Sequence, residues 1–417
     1  MTVAMDPPKA GFRLGMLLYD TRYRSITIQV IFMILIVLGF VWLFDNVTAN
    51  LKAAGKDFSF GYLWVRSGYD INQMLIQYSS DSTHGRAMLV GLLNTLFLAF
   101  LSCILATIIG VVAGILRLSK NVLIARLMEI YVETFRNVPV VLWIVLVNAI
   151  MAVSMPEPKD FRGEIPSASM ILFDSVAVTN RGVYFPEPLF SRSLGNTDID
   201  IFLISNDFVA IIAVVLASIW AYRRLQSNAT VVQNATGVRP VTWWKGLAII
   251  ILPLLALLAA TGFHLGYPEL KGFNFVGGVH ARNSLVAMWL ALSIYSATYI
   301  AESVRAGILA ISRGQTEAAL ALGLQPGMAT RLVVLPQAMR VVVPPLISQY
   351  LSITKNTSLA IAVGYMDLRS TLGGITMNQT GRELESMLLL MGIYLTISLV
   401  VSALMNIYNT SIKLKER

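Results

Sequence analysis

The chain has 417 residues, 56% of them hydrophobic and only 13% charged, where soluble domains carry about 25%. Its mean hydropathy is +0.68, and several apolar runs approach or exceed the ~20 residues that cross about 30 Å of hydrocarbon. An ordinary soluble fold is therefore excluded in favour of a multi-span helical membrane protein. The net charge of +9 does not point to nucleic acid, because lysine and arginine gather between the apolar runs. A single cysteine, Cys103, and three histidines, His84, His264 and His280, leave no basis for a disulfide framework or a metal centre.

In chain order, the first apolar run lies near 26–44, behind Lys9, Arg13, Arg22 and Arg24. It lacks the short core and small-residue cleavage site of a signal peptide, so 1–50 reads as a cytoplasmic N-terminus and a retained span. Spans follow near 87–116 and 123–153, joined through Arg117, Lys120 and Arg126. The stretch 154–200 holds seven acids against four bases, as an external loop can. Two more spans, 201–222 and 246–263, flank a segment bearing Arg223, Arg224, Arg239 and Lys245 and no acid. Its two Asn-Ala-Thr tripeptides fit a glycosylation acceptor only by pattern, since the basic charge puts them inside. Trp243 and Trp244 beside Lys245 read as an interfacial anchor.

The last spans lie near 285–311, 341–366 and 384–410, before a 411–417 tail with Lys413, Lys415 and Arg417. The expectation is an all-α integral membrane protein of about eight transmembrane helices with both termini cytoplasmic. The third span contains Pro139, and the seventh contains Pro344, Pro345 and Lys355. Both are expected to be broken or tilted, with protein or a cavity satisfying the freed backbone.

Between the sixth and seventh spans stands EAALALGLQPGMATRLVVLP, residues 317–336. EAALALG is rich in helix formers, Pro326-Gly327 punctuates it, and 328–335 suits a second short helix ending near Pro336. Gly323 permits either a close approach or an unusual backbone angle. The segment reads as a rigid knob for a groove on a cytoplasmic partner, or as a plain interfacial hairpin. The pattern G-x-x-x-x-G-K-[ST] is absent, so this chain is not expected to hydrolyse ATP itself.

The segment resembles the EAA loop of ABC-transporter permeases: Glu-Ala-Ala, three residues, Gly, nine residues, Ile, one residue, Leu-Pro. Glu317, Ala318, Ala319, Gly323, Leu335 and Pro336 match at that spacing, and Val333 replaces Ile. YIAESVRAGILAISRGQTEAALALG (299–323) and RLVVLPQAMRVVVPPLISQYLSITKNTSLAIAVG (331–364) are similar to the polar amino-acid permeases of bacteria. So is YVETFRNVPVVLW (131–143), although Asn137-Val138 departs from the Gly-Thr of many relatives. The resemblance covers 87–153 and 285–410, the two parts of a five-helix core. With 1–50 and an inserted 154–263, the chain looks like the larger permeases of the general L-amino acid system.

That resemblance implies a place in the bacterial inner membrane beside a second, related but different permease. It also implies two nucleotide-binding subunits that use ATP and magnesium, and a periplasmic amino-acid-binding protein. No cofactor is expected on this chain. The EAA knob would dock on the nucleotide-binding subunit. Glu317 would pair with a basic group there or cap its own helix.

Candidate path or gate residues are Glu133 and Arg136, with Glu129 a turn behind, and Glu302 with Arg305. Ionisable groups at membrane depth normally face the bundle interior or a polar path. The same i,i+3 spacing also suits simple mutual neutralisation near the interface. Lys355, Asn356, Thr357 and Ser358 interrupt an apolar span. Lys355 suits a substrate carboxylate, with Glu302 or helix-end carbonyls for the ammonium; the competing reading is gating or subunit packing, the latter with Lys355 paired to Glu302. The insertion 154–263 is either a contact for the binding protein or a spacer. An ion- or proton-coupled secondary transporter is the alternative class, one in which the EAA loop has no role.

Overall fold

The computed structural model describes residues 16–53, 55, 57–163, 166–199 and 202–412. The chain divides into a unit ending at Tyr62 and a larger unit running from Leu63. The described part of the first is dominated by α1 (Thr21–Ala53), apolar on all sides, with no buried residue in its most apolar window. Such a helix suits a lipid environment. The positively charged tail beyond Ile412 and the N-terminal Lys9 and Arg13 lie outside the described residues.

The larger unit is organised on two parallel helices, α2 (His84–Leu116) and α7 (Asn283–Leu309). Small residues let them approach closely, as membrane helices require where lipid gives no hydrophobic drive. A Cβ added at Gly110 would stand 2.6 Å from Ile300 Cβ, and one at Gly114 would stand 2.7 Å from the Ala301 carbonyl oxygen. Around this pair, Leu98, Ile144, Met288, Leu292, Ile300 and Ile353 share the principal core.

The third span consists of α3 (Val122–Asn137) and α4 (Val140–Ser154), bent by 104°. The cause is Pro139, which donates no N–H and forces Val138 into extended backbone (φ −106°, ψ 132°). The expected break is therefore present, between the two helices.

The insertion holds structure that hydropathy did not reveal. Strands β1 (Ala177–Thr179), β2 (Gly182–Phe185), β3 (Glu187–Phe190), β4 (Asn196–Ile199) and β5 (Phe202–Ser205) precede two helices, α5 (Asn206–Thr236) and α6 (Trp243–Thr261). β6 (Phe263–Gly266), β7 (Glu269–Lys271), β8 (Asn274–Val276) and β9 (Val279–Arg282) follow. All pairings are antiparallel, in the orders β1-β2-β9, β3-β6, β4-β5 and β7-β8. Folded insertion thus continues past 263 to Arg282, directly before α7.

After α7 come α8 (Arg313–Ala321), a helical turn Pro326–Ala329, a π-helical turn Thr330–Val334, and α9 (Leu335–Asn356). A 3₁₀ segment Thr357–Val363 extends α9, and α10 (Glu383–Ile412) is the last helix among the described residues. Among the described residues, seven helices are long and apolar enough to span a bilayer, or eight when the bent α3–α4 pair counts as one span.

Two expectations are corrected. The second helix of the 317–336 segment does not end at Pro336: helical backbone continues from Pro326 through Asn356. The π turn, where the Leu335 N–H bonds the Thr330 carbonyl, absorbs the proline that follows it. Of the broken or tilted seventh span, the break at Pro344 and Pro345 is overturned, since α9 runs through both. In apolar surroundings, freeing further backbone groups costs more than a tolerated proline.

Candidate functional site

The 317–336 segment is fixed by its own backbone. At the end of α8 the Gly323 N–H bonds the Leu320 carbonyl (2.9 Å) and the Leu324 N–H bonds the Ala319 carbonyl (3.2 Å). This is a Schellman closure, and it needs left-handed backbone at Gly323, whose φ is +80°. Nothing lies within 4 Å of where its Cβ would stand, so the glycine serves the angle and not a close approach. Gln337 Nε2 donates to Gln315 Oε1 (3.3 Å), tying the start of α9 to α8.

Ala319 and Ala329 are buried inside this turn, while Ala318, Leu335 and Pro336 are exposed. Leu322 is 84% exposed, and Leu320, Met328 and Leu332 are exposed beside it. Glu317 lies in the body of α8, four residues past its first residue, so it does not cap the helix; the N-cap position is Ser312. Its carboxylate is exposed and has no ionic partner among the described residues.

At the same end of the bundle, Glu302 pairs with Arg305 (3.0 Å) one turn away and with Arg117 at the end of α2. The Arg117 side chain is 10% exposed and that of Glu302 33%, so the guanidinium is largely removed from water while the carboxylate stays partly wet. The pairing of Lys355 with Glu302 is overturned, because the carboxylate is already shared by two guanidinium groups. Glu133 and Arg136 do not neutralise each other either. Arg136 lies over the Tyr299 ring, 5.1 Å from its centroid, and Glu133 is exposed with no ionic partner among the described residues. Glu129 instead takes Arg126 (2.6 Å), on an exposed face.

Lys355 is exposed on α9, with no ion pair or hydrogen bond from its ammonium among the described residues. Thr357 is fully buried and donates to the Thr354 carbonyl (2.8 Å), whereas Ser358 donates to the Lys355 carbonyl (2.8 Å). Asn356 is half-buried at the end of α9. The structure therefore brings Glu302 and Arg305 together, and leaves Lys355 and Glu133 apart from them.

Sequence reasoning missed a buried polar layer at the strand-bearing end. Asn94 in α2 donates to the carbonyls of Gln73 (2.8 Å) and Met366 (2.9 Å), and Tyr365 donates to the Asn94 carbonyl (3.0 Å). Asp367 is fully buried; it accepts from the Ser370 N–H (2.9 Å) and the Tyr394 hydroxyl (3.3 Å). Burial raises its carboxyl above the ordinary range, against the lowering effect of the Ser370 hydrogen bonds. The available signals were Asn94-Thr95 inside an apolar run and a lone acid in GYMDLRS.

Beside this layer is a cavity of about 540 Å³ lined by Gln73, Asn94, Phe97, His280, Trp289 and Tyr365 among others. The strands β2 and β9 supply one wall through Val183, Phe185 and Val279. Gln73 Oε1 and Trp289 Nε1 are buried there without hydrogen-bond partners among the described residues. An orphaned acceptor and an orphaned donor can both be met by a small polar guest.

Residues 106–414 match the family described as the binding-protein-dependent transport system inner membrane component. Over the full length of both chains, the sequence is 60% identical to the glutamate/glutamine/aspartate/asparagine transport system permease protein BztB of Rhodobacter capsulatus. It is 42% identical to the general L-amino acid transport system permease protein AapQ of Rhizobium johnstonii, covering 98% of this chain and 96% of that one. A shorter match, 35% identical, covers 28% of this chain and 25% of the permease protein BztC of Rhodobacter capsulatus.

Proposed function

The chain belongs to the binding-protein-dependent transport system inner membrane component family, and from that premise we propose how it works as a permease subunit of an ATP-driven amino-acid importer. It translocates L-amino acids across the bacterial inner membrane, and a separate pair of nucleotide-binding subunits hydrolyses ATP with magnesium. A periplasmic binding protein delivers the substrate. The relatives BztB and BztC are both named permeases of one transport system, which supports pairing with a second, unlike permease here.

The observation that carries this reading is the knob at 317–336. Its shape is set by the Schellman closure at Gly323, and it offers Leu320, Leu322, Met328 and Leu332 outward with an exposed Glu317. The apolar surface suits a groove on the nucleotide-binding subunit, and Glu317 suits a basic group on its rim. Both termini and this knob then lie in the cytoplasm, and the strands lie outside.

Energy passes from knob to path through rigid elements. Three residues separate α7 from α8, and Glu302 in the penultimate turns of α7 holds Arg117 of α2. A pull on the knob therefore moves α7 and α2 together as one arm of a two-state element. The proposed path enters at the cavity beside Asn94 and passes Lys355 and its polar neighbours. Lys355 offers a charge for the amino-acid carboxylate, with helix-end carbonyls left for the ammonium. Similarity to ABC permeases over the whole chain favours this reading over an ion- or proton-coupled transporter.

Co-purification tests the docking. The nucleotide-binding subunit should follow the wild-type chain through affinity capture, and Leu322→Asp should release it while membrane insertion is unchanged. Full recovery with Leu322→Asp and with Glu317→Lys would refute the assignment of the knob.

A further inference from the structure

The hairpin of α5 and α6 is spent neither on the core nor on the knob. Asp207, Ser218 and Ala229 are the buried residues of α5, and Gly246 and Thr261 those of α6. Its two helices close on each other, with Tyr222 of α5 packed where a Cβ at Gly246 would stand, 2.6 Å away. The rest of the pair is open.

What is open is ordered by depth. Phe208, Ile212, Leu216 and Trp220 recur every four residues along α5, each 47% to 62% exposed, as a ridge that winds along the helix. The next position in that row is Arg224, whose guanidinium lies over the Trp220 ring, 5.4 Å from its centroid. From Phe208 to Arg224 the stripe runs ~24 Å at 1.5 Å per residue, close to the hydrocarbon thickness. On α6 an exposed row of Leu255, Ile251, Leu247 and Trp244 leads the same way, to Lys245, which sits 5.4 Å from the Trp244 ring centroid.

The charge at this end is one-sided. Between Asp207 and Glu269 the sequence holds no acid, and none of Arg223, Arg224, Arg239 and Lys245 has an ion pair among the described residues. Arg239 is nevertheless held in place. Its Nη2 donates to Gln226 Oε1 (2.9 Å), and Gln226 Nε2 donates to the Thr242 hydroxyl (3.4 Å), three residues before Lys245. Two apolar stripes thus end in cations gathered at one level, beside tryptophans suited to the headgroup layer.

We propose that this end of the hairpin binds an anionic phospholipid of the inner leaflet. The acyl chains lie on the two stripes and the phosphate meets Arg223, Arg224, Arg239 and Lys245. Basic clusters at the cytoplasmic ends of membrane helices recognise anionic headgroups, and guanidinium forks fit phosphate oxygens. An acidic face of a protein partner would explain the cations, but not the exposed apolar rows that lead to the tryptophans beneath them.

The test is native mass spectrometry of the solubilised full chain after exchange into mixed micelles of phosphatidylglycerol and phosphatidylcholine. The wild-type chain should retain phosphatidylglycerol preferentially. Each single Arg→Gln or Lys→Gln change should weaken retention by ~5-fold, since a cation at a charged membrane surface contributes about 1 kcal/mol. R223K/R224K/R239K keeps the charge and should keep the lipid, which guards against a variant that merely misfolds. Displacement by soluble glycerol phosphate at low concentration would overturn the lipid assignment in favour of a free-phosphate site. Equal retention of the two lipids, or unchanged retention in R223Q/R224Q/R239Q/K245Q, would also overturn it.

Discussion

Arg117, the C-cap residue of α2, and Glu302, in α7, form an ion pair that locks together the two helices at the centre of the bundle. Arg305 supplies a second cation to the same carboxylate at 3.0 Å. Removing the acid strands a largely buried guanidinium, and a lost charge-assisted partner costs about 1.5–3 kcal/mol. Glu302→Gln should therefore lower the thermal midpoint of the purified chain and its recovery in the complex. Arg117→Gln added to Glu302→Gln should cost less than the sum of the two single changes. Strict additivity would show that the pair carries nothing.

Lys355 stands apart from that cluster. Lys355→Met keeps length and apolar packing while deleting the charge, so subunit recovery should be near normal. Uptake with the binding protein saturated should fall roughly 10- to 150-fold, the equivalent of one lost charge-assisted hydrogen bond. Because Glu302 is occupied by arginines, combining Glu302→Gln with Lys355→Met should give no rescue of assembly. Wild-type uptake in Lys355→Met would remove the residue from the path.

Gly323 tests the knob through its backbone. A β-branched side chain held in left-handed backbone costs of order 1–2 kcal/mol, whereas asparagine visits that region readily. A complex carrying Gly323→Val should thus move less amino acid per ATP hydrolysed by its nucleotide-binding subunits, and one carrying Gly323→Asn should retain most of the coupling. Identical ratios of uptake to hydrolysis in wild type and Gly323→Val would contradict a knob whose shape matters.

The spans and the knob were legible because each depends on local information. Long apolar runs have few other uses, and the Glu317 to Pro336 spacing sits within one stretch of chain. Pro139 likewise acts on its own neighbours. What failed was partner choice across elements. An i,i+3 spacing says that Glu133 and Arg136 share a helix face, but Tyr299 on α7 offered Arg136 a ring to cover. Arg117 is 185 residues from Glu302, and nothing in either neighbourhood announces the other. The insertion strands are three or four residues long, too short for an alternating pattern to stand out. Asp367 escaped because it lies between spans, where a lone acid normally meets water.

Asp367 gives a pH signature. Its carboxyl is raised by burial, so the folded chain holds a proton that the unfolded chain, near the ordinary aspartate value of about 3.9, has already lost. The stabilisation is full below that unfolded value and is lost as pH rises through the folded one. Thermal midpoints measured upward from pH 4 should decline in wild type, and the decline should be smaller in Asp367→Asn. Parallel profiles for the two would contradict the burial of a costly charge.

Whether a separate ATPase drives amino acids through this chain is read from uptake into sealed vesicles. These would hold the chain, its partner permease and the nucleotide-binding subunits, with ATP and magnesium on the cytoplasmic side and the loaded binding protein outside. Labelled amino acid should accumulate, stop accumulating when ATP, the ATPase or the binding protein is withheld, and be indifferent to a collapsed ion gradient. Accumulation by this chain alone, driven by an ion gradient and indifferent to ATP, would contradict ATP-driven import.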